Sequence, residues 1–180
     1  MAYGSSMRRT LLHLCIFLIS VLEANAQGSG TTPGYTEPEI KAAFVLHLIG
    51  FITWPDAHEP RAICMTEESN VQGALAALLK ERAGTDLTLQ VLVDDQDLQS
   101  CDLLFLNDEA KLPVLTNVAP LLTIGETLGF ADSGGMVELR RQAGRVELII
   151  NVSELQYAGF SASSRLMSLA TIVTPGVRKP

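Results

Sequence analysis

The 180-residue sequence has little positive charge: 13 lysine and arginine residues stand against 20 aspartate and glutamate residues, for a formal net charge of −7. A general nucleic-acid binder needs a basic face to meet phosphates, so the charge balance argues against that class. Low-complexity tracts and collagen-like repeats are absent, and 47% of the residues are hydrophobic, which argues against a disordered chain. The length fits one ordinary domain.

Catalytic signatures are also missing. The sequence contains no G-x-S-x-G nucleophile elbow, no P-loop and no G-x-G-x-x-G motif. His47 lies in an apolar segment and His58 in a proline-flanked loop, so we predict a buried and a surface histidine rather than a catalytic pair. Asp94, Asp95 and Asp97 resemble part of a calcium loop but lack its glycine and terminal glutamate, which predicts a solvated acidic turn. We therefore expect no catalytic site, no metal and no cofactor.

The hydrophobic run from Leu11 to Leu22 is shorter than the roughly 20 residues of a membrane-spanning helix, and no later run reaches that length. Arg8 and Arg9 precede the run from Leu11 to Leu22, and an A-x-A motif ends at Ala26. This order predicts a secretory signal peptide over residues 1–26, cleaved after Ala26. The alternative is a buried N-terminal helix. A signal peptide implies that the remaining chain is soluble, exported and still acidic.

Cysteines are few. Beyond Cys15 in the predicted signal peptide, the chain has only Cys64 and Cys101, and no C-x-x-C motif that would indicate a thioredoxin-like or zinc site. An even number of cysteines in an exported protein favours a disulfide, worth on the order of 4 kcal/mol for a loop of this length. Two unpaired buried thiols are the alternative.

The mature chain is predicted to begin with a flexible Gly/Ser/Thr/Pro-rich lead-in over residues 27–36. Thr36 and Glu39 have the spacing of a capping box, which predicts a helix that continues to Trp54 and ends before Pro55. This helix is apolar on nearly every face. We expect it to be buried or to leave an apolar strip exposed.

Strand-like and helical segments alternate through the rest of the chain. The strands are predicted at Ala62–Thr66, Leu87–Val93, Asp102–Leu106, Leu121–Ile124, Met136–Arg141 and Val146–Asn151. Helical stretches are predicted near 70–82, weakly around Pro113, and near 153–158 and 163–173. The alternation predicts parallel β-α-β units, and the QAGR loop predicts a late antiparallel hairpin. The expected fold class is therefore α/β: one three-layer domain over residues 37–175, with a mixed, mostly parallel sheet of about six strands.

Three pieces of the sequence together resemble the YfiR family of bacterial periplasmic regulators. They are the helix KAAFVLHLIGFITWP, a strand carrying Cys64 with the later segment CDLLFL from Cys101, and the C-terminal block that starts GFADSGGMVELRR. In this order and spacing they cover roughly residues 37–173.

The resemblance implies a periplasmic, non-enzymatic protein that represses an inner-membrane diguanylate cyclase by binding its periplasmic sensory domain. Such a protein controls cyclic di-GMP signalling and biofilm formation. The resemblance also implies a structural Cys64–Cys101 disulfide; the second cysteine pair of the best-known member has no counterpart, because no cysteine follows Cys101. Alternatives are a regulator of a sensor histidine kinase and a small-molecule-binding protein. An exposed apolar first helix would favour a homodimer.

Candidate partner- or ligand-binding residues fall in three places: the end of the first helix, the hairpin, and the start of the last helical stretch. They are Phe51, Trp54, Pro55, Arg145, Ser163, Ser164 and Arg165. The last three would place hydroxyls and a cation at a helix N-terminus that can hold an anion. For Trp54 the alternative is a core anchor, for Ser163 a helix cap, and for Arg145 an ion pair across the hairpin.

Overall fold

The computed structural model describes residues 34–66, 69–82, 84–92, 95–107 and 120–175, with the side chains of 95–97 excepted. The predicted signal peptide, residues 27–33 of the predicted lead-in, Asp94 and the stretch around Pro113 lie outside these ranges, so those predictions remain untested. The predicted acidic turn likewise remains a prediction.

The first helix, α1, spans Glu37–Phe51 and begins as the capping box predicts. The Glu39 carboxylate accepts hydrogen bonds from the Thr36 backbone N–H at 2.7 Å and from the Thr36 hydroxyl at 2.8 Å. Both bonds favour the charged carboxylate and lower the pKa of Glu39. The predicted end at Trp54 is wrong by three residues, because the chain leaves the helix at Ile52 to pair with a distant strand.

The described strands are numbered in chain order. They are β1 (Ile52–Thr53), β2 (Ala62–Met65), β3 (Thr88–Val91), β4 (Leu103–Leu106), β5 (Leu122–Gly125), β6 (Val137–Gln142), β7 (Arg145–Asn151), β8 (Ser161–Ala162) and β9 (Thr171–Val173). Seven of them form one sheet in the order β3-β2-β4-β5-β6-β7-β9, and β1 pairs separately with β8. Neighbouring strands of the large sheet run parallel except in the antiparallel β6–β7 hairpin. The predicted α/β class, mostly parallel sheet and hairpin are confirmed.

The remaining helices in the described ranges are α2 (Asn70–Glu81), α3 (Val152–Tyr157) and α4 (Ser164–Met167), with 3₁₀ turns at Pro55–Ala57 and Asp95–Ser100. Side chains of β4 alternate between two buried clusters: Leu103 and Phe105 pack in the cluster that contains α1 and α2, while Leu104 and Leu106 pack in a cluster on the other face. This agrees with the expectation that the apolar strand LLFL is covered on both faces.

The sequence predicted one helical stretch over residues 163–173, and this prediction is wrong. Helix α4 ends at Met167, and the β-branched run at Thr171–Val173 forms β9 instead. Strand β9 adds to the edge of the sheet in parallel with β7, pairing Ile149 with Thr171 and Ile150 with Ile172. The sheet therefore has seven strands rather than about six.

The favoured disulfide is present in the structure. Cys64 lies in β2, and Cys101 lies just before the neighbouring parallel strand β4; their Cα atoms are 5.8 Å apart and their Sγ atoms are bonded. Both residues are buried, and the side-chain amide of Gln90 lies 3.1 Å from Cys64 Sγ. The bridge joins positions 37 residues apart in sequence and ties β2 to the segment that leads into β4.

Removing the bridge is expected to destabilise the fold. Replacing Cys64 and Cys101 by alanine should lower the free energy of unfolding by up to about 4 kcal/mol, because the unfolded chain regains loop entropy. Urea denaturation of the variant and of the wild type, each with and without reductant, measures the difference. Reduced wild type should match the variant; equal midpoints for oxidised wild type and variant would contradict this role.

Candidate functional site

Two segments that are far apart in sequence meet at the end of α1. Strand β1 pairs antiparallel with β8, matching Ile52 with Ala162 and Thr53 with Ser161, and the Ser163 N–H donates to the Phe51 carbonyl at 3.0 Å. Residues 51–55 and 159–165 are termed the junction below. The structure thus brings together two groups of candidate residues that the sequence placed separately.

A cation lies over an aromatic ring at the surface of the junction. The guanidinium carbon of Arg165 is 5.9 Å from the centroid of the half-buried Phe51 ring, and Arg165 is itself exposed. This is the geometry of a cation–π contact. The His47 ring lies 6.4 Å from the Phe51 ring, centroid to centroid, and His47 is exposed, so its predicted burial is wrong. Aromatic and arginine side chains are the residue types that most often dominate protein–protein binding energy.

Trp54 is a core residue, as the alternative interpretation held. Its side chain is only 7% exposed, its ring meets the Phe160 ring edge-on at 5.2 Å, and its indole N–H donates to the Ile49 carbonyl at 3.2 Å. A buried indole with a satisfied N–H anchors the junction to the core. Trp54 therefore lies beneath the surface residues of the junction and holds their backbone in place.

Pro55 begins a tight turn beside the junction. Asp56 and Ala57, both non-glycine residues, have positive φ angles of 54° and 55°. Gly159, with φ of 83°, packs against this turn so closely that a Cβ there would lie 3.3 Å from the Pro55 Cβ. Strained backbone of this kind concentrates at functional sites. Sequence reasoning missed Gly159; a glycine directly before the aromatic Phe160 was the available signal.

His58 and Asp102 clamp the loop that leads from the junction to β2. His58 Nε2 lies 2.5 Å from Asp102 Oδ1, and Asp102 Oδ2 accepts the backbone N–H groups of Arg61 at 2.6 Å and Ala62 at 2.8 Å. Burial raises the pKa of Asp102, but these hydrogen bonds and the His58 interaction lower it more, so the net pKa lies below its ordinary value. The His58 ring is 6.1 Å from the Trp54 ring, which links the clamp to the junction.

The clamp predicts a pH-dependent loss of stability. The depressed pKa of Asp102 means that its stabilisation is present above the unfolded-state pKa of about 3.9 and is lost as pH falls through the folded-state value. Asp102→Asn should therefore lower the free energy of unfolding by about 1–3 kcal/mol at pH 7, with a smaller difference near pH 3. Urea denaturation at both pH values measures this. The exposed Asp86→Asn is the matched control; a deficit that does not change with pH would contradict the clamp.

The remaining candidates have structural partners of their own. The Ser163 hydroxyl accepts the Leu166 N–H at 3.3 Å, so Ser163 caps α4 as the alternative held. Ser164 is exposed, and α4 has only four residues, too few for the anion site considered from the sequence. Arg145 lies at the hairpin rather than in the junction, 3.8 Å from Glu147 of its own strand, and the ion pair across the hairpin is made by Arg140 instead. The expected cross-hairpin pair of Arg145 is therefore wrong.

A polar cavity of about 860 Å³ lies beside the N-terminal ends of α1 and α2. Lys41, only 5% exposed, is the charged residue in its wall that is most buried. Its ammonium lies 2.8 Å from Glu37 and 2.6 Å from Glu126, and Arg141 lies 3.2 Å from Glu37. Burial lowers the pKa of Lys41, but the two carboxylates raise it above its ordinary value.

Sequence reasoning missed this cavity. The available signals were Lys41, which is the only lysine or arginine in α1, and Glu126, which directly follows β5. Side chains that follow parallel strands gather at one edge of the sheet, where α/β domains commonly bind ligands.

Neither a metal-binding cluster nor a membrane-spanning helix is present in the described ranges. Within them, no three His, Cys, Asp or Glu side chains are grouped closely enough to hold a metal ion. No helix in the part of the chain that the structure describes has the length and apolar character needed to cross a membrane.

A family model described as YfiR/HmsC-like matches residues 38–171. The chain belongs to the YfiR/HmsC-like family. The match confirms the resemblance drawn from the three sequence pieces and covers the disulfide, the junction and the hairpin. The family is regulatory and non-catalytic, and its members act through protein partners. No curated protein shows significant similarity to this YfiR/HmsC-like chain.

Solved structures similar to this YfiR/HmsC-like protein share its fold. One is a conserved domain protein from Vibrio cholerae O1 biovar El Tor, with 15% identity, a TM-score of 0.50, and coverage of 75% of this chain and 59% of that one. Another is the ABC domain in complex with L-Trp from Streptococcus pneumonia, with 10% identity, a TM-score of 0.50, and coverage of 76% and 60%. The chain thus spans about three fifths of the length of each, and at these identities the likeness shows the fold alone.

Proposed function

We propose that this protein is a periplasmic regulator that binds and represses the periplasmic sensory domain of an inner-membrane diguanylate cyclase. By repressing this cyclase, the protein would control cyclic di-GMP levels and biofilm formation. The observation that carries the proposal is the YfiR/HmsC-like match over residues 38–171. Composition and motifs agree with it, since the chain has a net negative charge and lacks the catalytic signatures considered above.

We also propose that the protein is exported to the periplasm. A buried disulfide fits a protein that folds in an oxidising compartment, and this supports the signal peptide predicted over residues 1–26. The acidic chain would then meet its partner on the outer side of the inner membrane.

The junction is the proposed contact surface. Phe51 and Arg165 offer an aromatic ring and a guanidinium at the surface, while Trp54 and the β1–β8 pairing hold the backbone beneath them. Such preorganisation reduces the entropy lost on binding. Repression requires that this surface bind the inactive state of the sensory domain more tightly than the active state, because equal affinity would shift nothing.

Arg165→Ala is expected to weaken repression without unfolding the protein, because Arg165 is exposed. Loss of a hot-spot side chain of this kind costs about 2 kcal/mol or more, which is roughly a thirtyfold loss of affinity. Co-purification from solubilised membranes and cellular cyclic di-GMP measure the effect, and cyclic di-GMP should rise. Phe51→Ala should act in the same direction, and the exposed Arg82→Ala is the control.

Two outcomes would count against the proposal. If Arg165→Ala and Phe51→Ala both leave cyclic di-GMP and recovery of the membrane protein unchanged, the junction is not the contact surface. Recovery of a sensor histidine kinase in place of a diguanylate cyclase would establish the alternative partner class.

Sedimentation of the purified protein settles whether it acts as a homodimer.

A small-molecule-binding function is the second candidate, and the polar cavity favours it. A ligand present at 100 times its dissociation constant would stabilise the fold by about 2.7 kcal/mol. Thermal-shift screening of polar metabolites should then give a rise in Tm that Arg141→Gln, in the cavity wall, reduces and Arg82→Gln does not. A screen without any such rise would remove this candidate.

A further inference from the structure

Helix α1 carries two apolar stripes: one faces the sheet, and the other runs along the side where α1 packs beside α2. The first stripe is fully buried and includes Val45 and Leu48. The second lines a groove of about 450 Å³ between α1 and α2. Its members follow the i, i+3, i+4, i+7 spacing of one helix face: the apolar Ile40, Ala43 and Phe44, and then the exposed His47.

Helix α2 lines the opposite side of the groove with the same spacing. Its groove residues are Ala74, Ala77, Leu78 and Glu81, whereas Val71 and Leu75 are buried in the core. Two adjacent helical stripes of equal period match the surface of a third helix, whereas the side chains of a strand alternate with a period of two. Alanines in the groove leave room for another backbone to approach closely.

The rim of the groove is acidic. Among the described residues that line it, the charged side chains are Glu39 and Glu81, and α2 ends at Glu81 with the negative end of its dipole. Tyr35, 82% exposed, adds an aromatic side chain at the groove. A second copy of this chain would bring the same two carboxylates into the interface by symmetry, which disfavours self-association here.

We infer that the groove between α1 and α2 is a docking site for a basic amphipathic helix of a partner protein. That helix carries apolar residues at i, i+3, i+4 and i+7 to fill the groove, and lysine or arginine residues that meet Glu39 and Glu81. The groove adjoins the junction at His47 but is lined by different residues, and the inference does not depend on which membrane protein is regulated.

Two neighbouring alanines on α2 give a matched test. Ala77 lines the groove and Ala76 does not, although both are exposed. A photoreactive residue at position 77 of the full chain, expressed in cells, should cross-link to another protein, and one at position 76 should not. Mass spectrometry should place the cross-link in a segment with helical apolar spacing and flanking lysine or arginine. Thermal denaturation checks that both variants are folded.

Other cross-linking results overturn the inference. These are a cross-link to a second copy of the chain, a cross-link to its own residues 27–33, an acidic or non-helical target segment, or equal labelling from positions 76 and 77. Absence of any product at position 77 also overturns it.

A synthetic peptide of the cross-linked segment then tests the contacts directly by fluorescence anisotropy. Ala77→Arg should weaken its binding at least tenfold, because a long cation enters the groove, and Ala76→Arg should not. Glu81→Lys should weaken binding several-fold, more so at low salt, whereas the exposed Glu59→Lys should leave it unchanged. Equal affinities for the two arginine variants, or no effect of Glu81→Lys, would refute the groove as the docking site.

Discussion

Burial of one face of α1 against the sheet is the constraint on which the other surfaces depend. Val45 and Leu48 are completely removed from solvent, which fixes the rotation of the helix. That rotation places the N-terminal turns at the polar cavity, the outer stripe along the groove, and Phe51 at the junction. If α1 had only one apolar stripe, its side of the groove would be polar. The unusual apolar character of α1 therefore marks a helix with two packing faces.

The packing of α1 also requires that the charge of Lys41 be neutralised. The same rotation buries its ammonium group, and an unpaired buried charge would be strongly destabilising. Glu37, one turn earlier, and Glu126, at the end of β5, neutralise it. Because Glu126 directly follows β5, the ion pair also ties the start of α1 to the carboxyl ends of the parallel strands. The polar cavity therefore results from the way α1 packs on the sheet as well as from the charged residues that line it.

Local patterns predicted the parts of the fold that local forces determine. The capping box at Thr36, the apolar run of β4 and the hairpin around Gly144 were all readable, because each depends on neighbouring residues. The pairing of β1 with β8 was not, because it joins two-residue strands that carry no periodic signal of their own. Strand β9 was missed for a related reason: its β-branched residues follow a capped helical turn, and only pairing with β7 makes them a strand. The sequence therefore predicted candidate residues for the site but not that the two groups lie together in the fold.

The junction and the groove share α1, and this has a consequence for binding. Ala43 in the groove and Phe51 at the junction are separated by about 12 Å along the axis, at 1.5 Å per residue. A partner that reaches both surfaces would gain from effective concentration, since the second contact forms within an existing complex. The rigid helix keeps the two contacts at a set spacing, so partners of the wrong geometry engage only one. Two modest surfaces on one helix can therefore give selectivity that neither would provide alone.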